Sequence, residues 1–212
     1  MTGDGVMGDG VTIRVLLAED QTLVRGALRA LLDLEEDIEV VAEVGRGDLV
    51  LAAAREHRPD VALLDIEMPG RDGIEAAGEL AAELPGVRAV VLTTFGRPGF
   101  LRRAMEVGAA GFLVKDSPVA ELARAIRAVV AGERVIDRDL AAAALALGAT
   151  PLSGREADVL RAAADGATVA DIAGRLFLSE GTVRNYLSSA IGKTGARTRV
   201  EAARVAQDKG WL

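Results

Sequence analysis

The chain has 212 residues, half of them apolar, which is enough for two small domains with cores of their own and excludes a disordered protein. No apolar run is long enough to span a bilayer, so direct membrane insertion is not expected; with no cysteine, disulfides and thiolate metal sites are excluded and a cytoplasmic, reducing location fits. The net charge of −7 is uneven: residues 150–212 carry nine Lys+Arg against seven Asp+Glu (+2), and residues 1–149 carry sixteen against twenty-five (−9).

Residues 1–11, beginning MTGDGVMGDG, are Gly-rich and acidic and lack the basic start and apolar stretch of a signal peptide, which predicts a disordered leader. Strand-like apolar runs then fall at 13–18, 38–44, 61–65, 89–94 and 111–114. Between them, apolar spacing near 3.6 predicts helices over 22–34, 48–57, 74–83, 99–107 and 118–131. Strands this continuously apolar are buried on both faces. The predicted architecture for residues 12–132 is therefore α/β, a five-stranded parallel doubly wound sheet. Ser117-Pro118 reads as N-cap and first position of the last helix, and Gly132 as its stop.

Residues 133–149 change from charged to Ala-rich, which predicts a linker, partly helical. Residues 150–212 show no strand pattern. Ser153 with Glu156, Thr168 with Asp171, and Thr198 with Glu201 have the spacing of capping boxes, and a further helix starts near Ser179. Four helices are predicted, at about 153–165, 169–176, 180–192 and 199–209. The tight turn Phe177-Leu178-Ser179 joins the second and third, with Ile172, Ala173 and Leu176 facing Val183 and Leu187, the spacing of a helix-turn-helix.

Four strands end on polar residues: Glu19 and Asp20 after IRVLLA, Asp65 after VALL, Thr93 after AVVL and Lys115 after GFLV. Carboxyl ends of strands in a doubly wound sheet converge on one crevice, so these side chains meet there. Singly, each has an ordinary explanation as a turn residue, N-cap or β-former. Together they can hold a divalent cation and accept a phosphoryl group.

On the motifs LLAEDQ (16–21), LLDIEMPGRDG (63–73), VLTTF (91–95) and GFLVKD (111–116), residues 12–131 resemble a response-regulator receiver domain, with its flavodoxin-like fold. The resemblance implies that Asp65 takes the phosphoryl group. Asp20 and Asp65 would bind Mg²⁺ directly, Glu67 through its backbone carbonyl and Glu19 through water. Thr93 and Lys115 would contact the phosphoryl oxygens, and Phe112 would be the aromatic that turns inward with Thr93. Thr94 stands where some receivers carry a smaller residue. Gly45-Arg46-Gly47 hints at a dinucleotide fingerprint, but Val50 breaks it.

On PLSGREADVL (151–160), DIAGRLFLSEGTVRNYL (171–187) and RTRVEAARVA (197–206), residues 150–212 resemble the LuxR/NarL-type DNA-binding domain. The resemblance implies that Arg184, Asn185 and Ser188 face base edges, with Thr182, Val183 (by backbone) and Lys193 near phosphates. Arg suits guanine and Asn suits adenine. DIEMPG, TTFGRPG, VKDSP, GTVRNY and DKGWL look closest to the DesR type. The family then implies a two-component transcription factor: a sensor histidine kinase phosphorylates Asp65, the chain forms a homodimer, and it binds double-stranded promoter DNA and engages RNA polymerase. The dimer face would be the first and last receiver helices or the 94–118 surface. Control of membrane-lipid desaturation or of an envelope response is the expected role, without enzymatic turnover beyond weak autophosphatase activity. One alternative is an atypical regulator independent of phosphate or responsive to a ligand. Another is an aspartyl phosphohydrolase of HAD type, which needs a DxD that Glu19-Asp20-Gln21 does not supply.

Overall fold

A computed structural model describes residues 12–94, 98–115, 118–138, 140–142, 150–164 and 166–212. The chain divides into two compact units, one holding a sheet and the other the four C-terminal helices.

Along the chain the strands and the helices between them run β1 (Ile13–Ala18), α1 (Thr22–Leu32), β2 (Ile38–Val44), a 3₁₀ turn at Gly47–Leu49, α2 (Val50–His57), β3 (Val61–Asp65), α3 (Gly73–Glu83), β4 (Arg88–Thr93), α4 (Pro98–Glu106), β5 (Gly111–Val114), α5 (Val119–Val130) and β6 (Val135–Ile136). All strands are parallel, in the order β2-β1-β3-β4-β5-β6. The five expected strands are present, and β6 is a correction to the five-strand reading. Gly132, in the left-handed region at φ +91°, closes α5, and Val135 N–H then pairs with the Ala110 carbonyl at 3.1 Å, turning residues expected as linker into a sheet edge.

Central β3 is buried along its whole length, as expected for a strand covered on both faces. On one face Val15, Leu17 and Leu63 pack with Leu32 of α1 and Leu122, Ile126 and Val129 of α5. Each such fully buried side chain contributes about 2 kcal/mol. Arg127 of α5 pairs with Glu35 at 2.6 Å and Asp37 at 2.5 Å, tying α5 to the segment after α1. The helix α5 begins at Val119 with Pro118 at its N-cap, one residue later than expected. Ser117 lies outside the described residues, as do the predicted leader and residues 143–149 of the predicted linker.

The second unit contains α6 (Gly154–Ala163), α7 (Val169–Leu176), α8 (Glu180–Thr194) and α9 (Arg199–Asp208). The boxes Ser153/Glu156 and Thr168/Asp171 close in both directions. The third is half made: Thr198 accepts from Glu201 N–H, but the Glu201 carboxylate takes the Arg197 N–H at 2.8 Å instead. Leu160, Ile172, Val183, Ala190 and Ala202 form the core on which all four helices pack.

Candidate functional site

The acidic site follows from sheet register. Ala18 of β1 lies beside Leu64 of β3, Asp65 beside Leu92 of β4, and Thr93 beside Val114 of β5. The residues at or just past these ends, Glu19-Asp20, Asp65, Thr93 and Lys115, therefore emerge on one rim. The rim lies where the chain reverses direction across the sheet between β1 and β3, the switch point at which such sheets bind ligands.

Lys115 spans the site. Its Nζ donates to Glu19 Oε2 at 2.5 Å and to Asp65 Oδ1 at 2.8 Å, and its N–H donates to the Thr93 carbonyl at 2.7 Å. Carboxylate oxygens of Glu19, Asp20 and Asp65 lie within 4.8 Å of one another. Glu19, Asp65 and Thr93 are buried, at 1%, 3% and 4% exposure, whereas Asp20 faces solvent. Burial pushes the Glu19 carboxyl above its ordinary range, and the Asp65 charge adds to this; the Lys115 hydrogen bond offsets only part. Burial alone would lower the Lys115 ammonium, but its hydrogen bonds to Asp65 and Glu19 outweigh that and raise it, so Lys115 is a fixed cation. Three carboxylates against one ammonium leave two uncompensated negative charges when all are ionised. A hard divalent cation balances that set and takes oxygen ligands, so the donor set fits one.

The loop after β3 sets the direction of Asp65. Gly73 N–H donates to the Ile66 carbonyl at 3.0 Å, and a Cβ on Gly73 would lie 2.0 Å from the Asp65 carbonyl oxygen. Only glycine permits that closure. Asp72 and Glu75 then cap α3 with a full capping box, legible in the sequence as D-x-x-E and not singled out there. Glu67 sits in this loop with its side chain exposed, outside the carboxylate cluster. Thr94 is exposed. Phe112 is fully buried in β5, beside Val91 of β4 and Ile136 of β6, so its ring already occupies the inward position.

In the helical unit, Phe177 takes the left-handed conformation (φ 55°) at the end of α7, making the tight turn into α8. Ser179 caps α8, accepting from Thr182 N–H at 3.1 Å, with the two hydroxyls 2.8 Å apart. Val183 and Leu187 are buried against Ile172 and Ala173, which turns Arg184, Asn185 and Ser188 outward together on one exposed face. Arg184 Nη2 donates to Glu180 at 2.6 Å. The Val183 side chain is buried in the core, and its N–H donates to the Ser179 carbonyl at 3.0 Å in the first turn of α8. Lys193 donates to Glu156 at 2.6 Å, as does Ser189 at 2.6 Å. Thr194 Oγ1 donates to the Ala190 and Ile191 carbonyls and extends α8 two residues past its expected end. Among the described residues no helix is long and apolar enough to cross a membrane.

Comparison with known proteins agrees with both halves. Residues 15–127 match the response regulator receiver domain family, and residues 150–206 match the bacterial regulatory proteins of the luxR family. The chain is 46% identical over 200 residues to the uncharacterized transcriptional regulatory protein YvfU of Bacillus subtilis (strain 168), covering 94% of this chain and 100% of the relative. It is 44% identical over 200 residues to the transcriptional regulatory protein DesR of the same organism, covering 94% and 99%. Among solved structures, the response regulator ChrA of a heme-sensing two-component system is 34% identical, with 95% of this chain and 100% of that chain covered and a TM-score of 0.58. The RcsB–DNA complex, at 24% identity and a TM-score of 0.67 over 93% of this chain and 98% of that one, shares the fold.

Proposed function

Because the chain belongs to the response regulators that join a receiver domain to a LuxR-type DNA-binding domain, we propose that phosphorylation of Asp65 switches its binding to DNA. The phosphoryl donor is the phosphohistidine of a sensor kinase: an Asp65 carboxylate oxygen bonds to phosphorus as the histidine nitrogen leaves. Glu19, Asp20, Asp65 and the Glu67 carbonyl would hold Mg²⁺, which when bound neutralises charge on the transferring oxygens. Lys115 supplies a second positive charge from the opposite side, and the Thr93 hydroxyl donates to a phosphoryl oxygen. Phosphorylation adds about −1.5 to −2 charges, so Lys115 exchanges its carboxylate partners for the phosphoryl group. Hydrolysis of the acyl phosphate resets the protein, and no other turnover is proposed.

The observation that carries this reading is the bridge from Lys115 to Glu19 and Asp65 at the switch point of the sheet. Homodimerisation through α1 and α5 is supported by Leu23, 87% exposed on α1, and Val130, 42% exposed on α5. The dimer then sets two α8 helices in successive major grooves. Arg184, Asn185 and Ser188 read bases, and Thr182 and Lys193 approach phosphates. A cytoplasmic setting and contact with RNA polymerase complete the reading.

The test is intact-protein mass spectrometry and light scattering with Mg²⁺, before and after acetyl phosphate, on the wild-type chain and Asp65→Ala. One phosphoryl adduct and a monomer-to-dimer shift, both absent in Asp65→Ala, are expected. DNA binding without any adduct on the wild type would favour a phosphate-independent regulator.

A further inference from the structure

We propose that Arg25 is a positioning residue of the acidic site: it acts through the backbone of Glu19 to aim the Glu19 and Asp20 carboxylates. This rests on the reading of that site as a Mg²⁺-assisted phosphoryl acceptor.

Arg25 lies in the first turn of α1, four residues past the end of the Glu19-Asp20 pair's neighbour Gln21, whose carbonyl accepts the Arg25 N–H at 2.9 Å. Its side chain does not run outward. Nη1 returns to donate to the Glu19 carbonyl oxygen at 2.6 Å. Nε approaches Glu43 of β2 at 3.6 Å, and only 21% of the side chain is exposed. Arg29 pairs with the same Glu43 carboxylate, so Glu43 is itself held in place.

Gly45 makes room for this arrangement. A Cβ there would lie 3.2 Å from Arg25 Nη1 and 3.8 Å from the Glu19 carbonyl oxygen. A side chain at position 45 would thus crowd the guanidinium, which would have to give by a few tenths of an ångström. Meanwhile the Glu19 N–H donates to the Val44 carbonyl at 3.0 Å. Residue 19 is therefore pinned at both its donor and its acceptor.

The consequence is geometric. The carbonyl that Arg25 holds belongs to the peptide joining Glu19 to Asp20, the two acidic residues on the β1 side of the site. A peptide unit is planar, so fixing its oxygen fixes the Asp20 nitrogen and Cα, the point from which the Asp20 side chain departs. Asp20 is exposed, so the backbone held by Arg25 is what places the start of its side chain beside Glu19 and Asp65. An outer partner that orients a ligand in this way is commonly worth about 10–100-fold in metal affinity.

Charge and position predict opposite signs. A guanidinium near a cation site repels the cation, so if Arg25 acted only by charge, removing it would tighten Mg²⁺ binding. If it positions the carboxylates, removing it weakens binding.

The experiment is calorimetric titration of Mg²⁺ into the full chain as wild type, Arg25→Met, Arg25→Lys, Gly45→Ala and Asp20→Asn. It is paired with the amide chemical shifts of Asp20 and Gln21 without Mg²⁺. Arg25→Met is expected to weaken Mg²⁺ by about tenfold and to shift both amides, with partial recovery in Arg25→Lys. Gly45→Ala, which crowds Nη1 while leaving Arg25 in place, is expected to weaken Mg²⁺ several-fold and serves if Arg25→Met does not fold. Unchanged or tighter binding in Arg25→Met, or in Gly45→Ala in its stead, overturns the role of Arg25 while leaving the site intact. A wild type that binds no Mg²⁺, or binding untouched by Asp20→Asn, overturns the reading of the site and the role of Arg25 with it.

Discussion

Glu156 at the start of α6 accepts a hydrogen bond from Lys193 near the end of α8 at 2.6 Å. The same carboxylate accepts from the Ser189 hydroxyl and the Ser153 N–H, each at 2.6 Å, so one buried group ties the first helix of the unit to the helix proposed to read DNA. Chiefly because of Lys193, and then Ser189, its pKa falls from 4.5 to about 2. A carboxyl lowered on folding contributes stability that is fully present above its unfolded value and is lost as pH falls through its folded value. Acid unfolding of this unit should therefore steepen between 4.5 and about 2. The single tryptophan, Trp211, packs on this core and reports on it by fluorescence. Glu156→Gln should lose about 2 kcal/mol at neutral pH and flatten the acid limb. An acid limb identical in wild type and Glu156→Gln would contradict this.

The acidic site concentrates like charge in a buried place. Glu19 is buried beside Asp65, with one lysine to serve both. Without a divalent cation, Glu19→Gln removes one of two uncompensated charges and should stabilise the sheet unit by about 1 kcal/mol. With Mg²⁺ the order reverses, since the wild type gains roughly 2.7 kcal/mol at a hundredfold excess over Kd and the variant gains less. Thermal unfolding with chelator and with Mg²⁺ makes the comparison. A variant less stable than wild type in chelator would show that the Lys115–Glu19 bond outweighs the repulsion.

The strands were legible because β1, β3, β4 and β5 are near-continuous apolar runs, and each matches its expected range within one residue. The strand ends carried the site with them, since parallel pairing brings the residues after Ala18, Leu64, Leu92 and Val114 to one rim whatever their loops do. Two-residue β6 was not legible: Val135 and Ile136 lie between Arg134 and Asp137, too short a run for any period to register. Glu156 was visible as a capping residue, but its bond to Lys193 joins positions 37 apart and exists only once α6 packs on α8. The Arg25 bond to the Glu19 carbonyl has the same character, because it forms only once α1 packs beside β2, where Glu43 and Gly45 border the guanidinium.

On α8, Arg184 is paired with Glu180 one turn earlier, and both are more than half or half exposed. Glu180 holds the guanidinium, and in the proposed DNA complex it would bring a negative charge toward the phosphates. Glu180→Gln should tighten non-specific DNA binding about threefold and steepen its salt dependence by about one charge. Arg184→Ala should instead cost about 1–3 kcal/mol on the operator and relax the preference at one base pair. Fluorescence anisotropy across a salt series, on operator and scrambled duplexes, separates the two. An Arg184→Ala loss equal on both duplexes would assign Arg184 to phosphate.

Phe177 is 96% exposed and holds a left-handed backbone at φ 55°. A non-glycine residue there carries about 1–2 kcal/mol of local strain. The geometry is needed, because Phe177 N–H donates back to the Ala173 carbonyl and turns the chain into the cap of α8. Glycine adopts it freely, though its looser unfolded chain gives back about 0.4–1 kcal/mol. Phe177→Gly should thus stabilise the helical unit by about 0.5–1 kcal/mol, a rise of a few degrees in Tm. Phe177→Val, β-branched at a positive φ, should lower it. Neither change touches the Arg184 face, so operator affinity should hold in both. A stabilised Phe177→Gly that nonetheless lost operator affinity would assign the exposed ring to DNA rather than to the turn.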